Sequence, residues 1–324
     1  MKKNTLYVKI LIGLFALLAV SSVTAQRGLV VKQQEITYDQ NILYQLDPDN
    51  PNMQNPEKRK SLILNADVNK LNQIASESGQ EPNVEKSTIY VLNKNFRMDS
   101  QSREHNWTVI LRKDLNKLFQ IDWNTNIVIE ISLDQMEQMQ KNAASQMQKN
   151  MPNLEKMLEN LPPQQRQEAL EGMKKSGYDL PGMKTKKSQP TVKKTGRTKT
   201  IKSFSNCEEY LIQDGDKTIS LWATAQNPAL VKKFHQIAQE FKNSFQFDED
   251  DENEPWELVK DRFPVLVKTF EENWMQGGGE LKVQEFLSAE EIPIPLSKFE
   301  EFKNPKLKKR SMKDMTNFDP NRRK

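Results

Sequence analysis

The sequence predicts an α+β protein in which an antiparallel β-sheet curves over an amphipathic helix and a second helical segment is inserted between the two halves of the sheet. Three observations predict it. Residues 87–131 hold a series of β-branched and aromatic runs separated by short polar turns, and a second such series begins at Cys207. Two further stretches instead repeat apolar residues every three or four positions.

The elements follow in chain order. Residues 1–25 read as a cleavable secretory signal peptide. Lys2, Lys3 and Lys9 make a positive start, residues 10–20 are an apolar run, and Val23, Thr24 and Ala25 offer small residues for a cut after Ala25. The run turns polar at Ser21 and Ser22, well short of the roughly 20 apolar residues a membrane span needs. The only cysteine, Cys207, lies far from the cut, so no lipid anchor is expected there. A periplasmic or secreted location follows.

Residues 29–44 suit one or two half-buried strands, with Leu29, Val31, Ile36, Tyr38, Ile42 and Tyr44 among polar neighbours. Residues 47–55, with Pro48, Pro51 and several Asn and Asp, read as a loop, and residues 66–75 as a short helix. Strands are expected at 87–92, 96–99, 107–111, 117–122 and 127–131, with turns at Lys94-Asn95 and over 123–126. Such short connections impose antiparallel pairing. From Leu133 the period becomes helical: Met136, Met139, Ala143, Met147, Met151, Leu154 and Leu158 share one face, and Pro162-Pro163 ends the run before a second short helix over 164–175. Residues 177–196, rich in Lys, Gly, Pro, Ser and Thr, read as a flexible linker. Strands resume at 207–213 and 217–224 around Asp214-Gly215-Asp216, and Asn227-Pro228 opens a helix whose apolar face is Leu230, Val231, Phe234, Ile237, Ala238, Phe241 and Phe245. After an acidic run over 248–254, strands at 263–270 and 280–286 flank Gly277-Gly278-Gly279, and a basic tail closes the chain.

Residues 26–132 are thus the N-terminal β half of a single domain, 133–176 a Met-rich helical insertion, 177–200 a basic linker, 201–300 the C-terminal β/helix half and 301–324 the tail. The formal charge of +4 includes three signal lysines, so residues 26–324 carry 45 basic against 44 acidic residues, which gives no support for nucleic-acid binding. One cysteine cannot form an internal disulfide, so stability rests on an ordinary core. Mean hydropathy of -0.79 with 36% hydrophobic residues leaves much of the chain for polar helix and linker.

The order Thr88-Ile89-Tyr90-Val91, Phe96-Arg97-Met98-Asp99, Leu118-Phe119-Gln120-Ile121-Asp122 and Glu130-Ile131 resembles an uncharacterised family of exported bacterial proteins, the domain of unknown function 4412. The second half agrees through Thr195-Gly196, Cys207-Glu208-Glu209-Tyr210-Leu211, Leu221-Trp222-Ala223-Thr224, Phe263-Pro264-Val265-Leu266-Val267 and Ile294-Pro295-Leu296-Ser297-Lys298-Phe299. The family is similar in strand order to periplasmic lipoprotein carriers of the LolA kind, and this implies a half-barrel that wraps around helices and holds acyl chains. The Met-rich helices, the basic linker and the acidic run depart from the family's short form, as does Asn206 before Cys207.

Chemistry is sparse. His105 falls in a loop and His235 on the amphipathic helix, in no metal or triad spacing. Gly277-Gly278-Gly279 reads as a hairpin turn rather than a phosphate cradle. The acidic run lacks the spacing of a calcium loop. Cys207 in a strand reads as a small buried hydrophobe rather than a reactive thiol. Met136, Met139, Met147 and Met151 have the soft thioethers of a Cu(I) site, yet their spacing is that of an apolar face. No catalytic residue, metal or cofactor is therefore expected. The expectation is a non-enzymatic envelope protein that carries or senses a lipid, an acylated protein or another apolar ligand, with those four methionines as a lid. The other reading is a structural or interaction protein without a ligand.

Overall fold

The computed structural model describes residues 26–47, 55–136, 190–214, 217–245, 255–273 and 278–311, with isolated positions between 138 and 166. Strand β1 is Gln26–Tyr38, followed by helices α1 (Gln40–Tyr44), α2 (Pro56–Asn65) and α3 (Val68–Glu77). Five strands follow: β2 (Asn83–Leu92), β3 (Asn95–Gln101), β4 (Asn106–Arg112), β5 (Lys117–Asp122) and β6 (Ile127–Ser132). Then come β7 (Thr191–Ile201), β8 (Phe204–Asp214), β9 (Lys217–Thr224), α4 (Pro228–Phe245), β10 (Phe263–Asn273), β11 (Gly278–Ile294) and β12 (Lys308–Ser311), with single 3-10 turns at Pro255–Leu258, Leu296–Phe299 and Glu301–Lys303.

All twelve strands form one open sheet in the order β12-β6-β5-β4-β3-β2-β1-β11-β10-β9-β8-β7. The first strand lies inside the sheet. From it β2 to β6 step outward on one side, and β11 back to β7 step outward on the other. Every pairing is antiparallel except that of β12 with β6. Three of the four turns between β2 and β6 close through asparagines in the left-handed region, Asn93 (φ 54), Asn116 (φ 54) and Asn126 (φ 56), a conformation Asn tolerates better than other side chains. Gly28 is needed for close approach, since a Cβ there would lie 2.4 Å from the Val91 carbonyl and 2.6 Å from Ile294 Cδ1.

In the β1–β6 half, alternation defines two faces, here named for Phe96 and Phe119. The Phe119 face carries Val30, Leu92, Ile110, Phe119, Ile121 and Val128, and it is covered by the chain after β11 through Phe299, Phe302 and Leu307. Phe302 stacks on Phe119 with ring centroids 3.8 Å apart. Two buried arginines hold that strap: Arg97 Nη1 donates to the Lys298 carbonyl at 2.6 Å and Arg112 Nη1 to that of Phe299 at 3.4 Å, while Asp99 and Asp114 pair with their guanidinium groups. The largest core joins α1 to α4 with β1 and with β8 to β11, through Tyr38, Ile42, Ile63, Leu71, Val231, Phe263, Phe270 and Val283. Val259 and the 3-10 turn before it cover Ile212, Ile219, Leu221 and Val267.

Three expectations need correction. Residues 29–44 are one strand followed by a helix: Asp39 accepts from the Asn41 and Ile42 amides, so Ile42 and Tyr44 are helical. Residues 191–200, read as linker, belong to the edge strand β7, where nearly complete exposure permits the Lys- and Thr-rich composition that resembles a linker. Residues 301–311, read as tail, place Phe302 and Leu307 in a core and form β12. The predicted helix at 66–75 is α3, and α2 stands before it, capped by Asn55, whose side chain accepts from the Lys58 amide, with proline in the first turn.

Candidate functional site

On the Phe96 face the register lines side chains into rows that cross six strands. The first row is Leu29, Val91, Phe96, Leu111, Leu118 and Ile131; the second is Val31, Ile89, Met98, Val109, Gln120 and Ile129. A third row turns polar: Gln33, Ser87, Ser100, Trp107, Asp122 and Ile127. Burial falls from the first row to the second, while Ser100 of the third is 1% exposed. Leu111, Leu118 and Ile131 of the first row are buried with Leu133 and Met136 packed on them, whereas Ile89, Met98, Val109 and Ile129 are half-buried and Gln120 is exposed. The result is an apolar ledge, interrupted in its second row by Gln120, beside a row that carries hydroxyls and a carboxylate. In that polar row Ser87 and Ser100 share a hydrogen bond of 3.1 Å, and the Ser100 hydroxyl donates to Glu85. Asp122 accepts from the Asn124 and Thr125 amides and the Thr125 hydroxyl, and these donors hold its carboxyl below the usual range.

Of the four methionines expected to form a lid, Met136 stands at the head of this ledge, in the helical residues that follow β6. Met139, Met147 and Met151 lie outside the described residues, as do the acidic run over 248–254 and Gly277. His105 is exposed near Glu104. His235 lies edge-on to Phe234, and its Nε2 stands 2.8 Å from the Arg262 carbonyl, which only accepts, so that nitrogen carries the proton. Among the described residues no three His, Cys, Asp or Glu are placed to hold a metal ion, and no helix is long and apolar enough to cross a membrane.

Cys207 is 0% exposed, and its Sγ stands 3.4 Å from the Phe204 carbonyl; burial pushes the thiol above its ordinary range. A chromogenic disulfide reagent at about pH 8 is expected to leave it untouched until denaturant is added. Stoichiometric reaction in native buffer within minutes would show that β8 opens.

A second polar constellation, not anticipated from the sequence, lies across β7 to β10. Glu209, 1% exposed, accepts from Arg197 Nε and Nη2, the Thr195 hydroxyl and the Ser220 hydroxyl. Lys199 Nζ sits 4.0 Å above the Trp222 ring, and although the residue as a whole is exposed, desolvation of its ammonium there depresses its pKa. Lys268, 5% exposed, donates to the carbonyls of Leu64 at 3.1 Å and Ala66 at 2.5 Å, and Arg197 Nη1 donates to Asn65 Oδ1 at 2.8 Å. The sheet thereby caps the C-terminus of α2, where the helix dipole favours a cation. Burial, followed by the charge of Lys199, lowers the Lys268 pKa to about 8. One signal was available: Lys268 interrupts an apolar strand at the inward parity of Leu266 and Phe270. These groups saturate one another, which suits architecture better than catalysis.

The sequence matches no family model and no curated protein. A crystal structure of an uncharacterized conserved protein from Thermus thermophilus aligns over 86% of this chain and 90% of that one, at 7% identity and a TM-score of 0.33, a likeness that carries no argument about fold or function.

Proposed function

We propose that this protein is an exported, non-enzymatic carrier or sensor of an apolar ligand, such as a lipid or acylated protein, in the cell envelope. The observation that carries this reading is the Phe96-face ledge. Large apolar side chains from β2, β3, β4 and β6 are aligned there and left half-buried, while other parts of the same sheet are filled by its own helices, strap and turns. An apolar surface beside a polar row is where a soluble protein takes up an acyl chain or an apolar partner. The half-barrel expected from the LolA-like resemblance would curve that ledge into a trough. Met136 at its head is suited to closing over varied ligands, since an unbranched thioether repacks readily.

Titration with a fluorescent fatty acid tests the reading. Saturable uptake is expected, and Met98→Glu, which sets a charge on the second row, should weaken it at least about tenfold while shifting the melting temperature little, because the site is half-exposed. Absent uptake, or uptake indifferent to Met98→Glu, would favour the alternative of an envelope interaction protein without a small ligand.

A further inference from the structure

We propose that β12 is a detachable cap on a self-complementary strand edge, and that the occupant it keeps out is the β6 edge of a second copy of this chain. Beneath the cap, β6 reads Ile-Val-Ile-Glu-Ile-Ser, a run of β-branched residues with one charge, which is the composition that pairs edge to edge when left open. Covering it are only four residues, all exposed, in the one parallel pairing of the sheet, and parallel pairs are the weaker kind. The strap owes its attachment to Phe299, Phe302 and Leu307, so the buried anchors stop before the cap begins. Lys308, Lys309 and Arg310 therefore bury nothing and supply backbone hydrogen bonds and positive charge, the usual guards of an exposed edge.

The exposed β6 edge would match itself. An antiparallel pairing about a twofold axis at Ile129 sets Ile129 against Ile129 of the second copy and Ile127 against its Ile131, all on the Phe96 face. Val128 falls opposite Glu130, so no like charges meet. The far edge offers no such match. Strand β7 carries Lys193, Lys194, Arg197 and Lys199, its pairing slips twice, and Gly196 sits at φ +83. Because Lys306 and residues 308–310 are exposed and basic, a trypsin-like protease is the class of activity that would remove the cap.

Sedimentation equilibrium of the intact chain and of one ending at Leu307 tests this. The shortened chain is expected to rise toward twice its own mass as concentration increases, above any association of the intact chain, and Ile129→Lys in the shortened chain should reverse the rise by placing two lysines across the axis. A second variant leaves the chain length intact. Lys308→Pro removes the amide that donates to the Asn126 carbonyl at 2.8 Å, and with Arg310→Pro it should detach β12 and give the same association. Unchanged mass in both folded variants, or association that survives Ile129→Lys, would overturn the proposal. Loss of the circular-dichroism signature in both would do so too, because β12 would then be part of the core rather than a cap.

Discussion

Replacing Phe299 with alanine is expected to destabilise the protein by about 3–5 kcal/mol, the range for a large aromatic removed from a well-packed core. Phe299 is 0% exposed and stands where the strap crosses the Phe119 face, in one core with Phe302, Ile110, Phe119 and Ile121. Little can collapse into the space it leaves. The backbone at that point is held as well, since its carbonyl accepts from Arg112 and the preceding one from Arg97. Both guanidinium groups would lose alignment if the strap shifted to fill the hole, so relaxation carries its own cost. Urea unfolding monitored by tryptophan fluorescence reads the effect as a lower midpoint at unchanged slope. A loss below about 1 kcal/mol would mean that the strap is not docked in solution, and the whole account of the Phe119 face would fall with it.

That strap also shows what the sequence conceals. Strands β2 to β6 are legible because each is a short apolar run ended by a turn residue, and α4 because Asn227 and Pro228 mark its start; the Asn227 side chain accepts from the Leu230 amide as a cap should. The strap has neither mark. Phe299, Phe302 and Leu307 are spaced irregularly among lysines and glutamates, since the segment lies across a sheet and buries single residues instead of a periodic face. Helix α2 was signalled by Asn55, Pro56 and Glu57, a cap with proline in the first turn, but the prolines before it suggest a loop. The place of β1 inside the sheet is a different matter. Its partners lie some 60 and 250 residues away, and alternation along one strand carries no information about which strand it meets. The same holds for the ledge. Its members are individually ordinary strand residues, and only the register aligns Ile89, Met98, Val109 and Ile129.

Lys268 gives the second large effect and the clearest pH signature. Lys268→Ala leaves the Leu64 and Ala66 carbonyls without their donor and opens a cavity under α2, so a loss of about 3 kcal/mol or more is expected at neutral pH. Lys268→Met keeps the volume and removes the buried charge, which offsets part of the cost of the orphaned carbonyls; about 1–2 kcal/mol should remain. The sign of the pH dependence follows from the direction of the shift. Burial lowers the pKa of Lys268 to about 8 in the folded chain, against 10.5 for the free side chain, so between those values the unfolded chain binds more protons and stability rises with pH. The rise attributable to this residue is at most about 3 kcal/mol, and it is complete only near the upper limit. Tyr38 works in the opposite sense above its ordinary value of 10.0, because burial raises its pKa and the folded chain retains the phenolic proton that Asn72 accepts in a hydrogen bond. Between pH 8 and 10 Lys199, whose pKa burial also lowers, works in the same sense and Cys207, whose pKa burial raises, in the opposite one, so it is the difference between the wild type and a Lys268 variant across that window that isolates Lys268. Urea midpoints of the wild-type and Lys268→Met chains across that window should diverge steadily, the wild type gaining on the variant. Parallel curves would show that the amine is solvated and that α2 is not capped by the sheet.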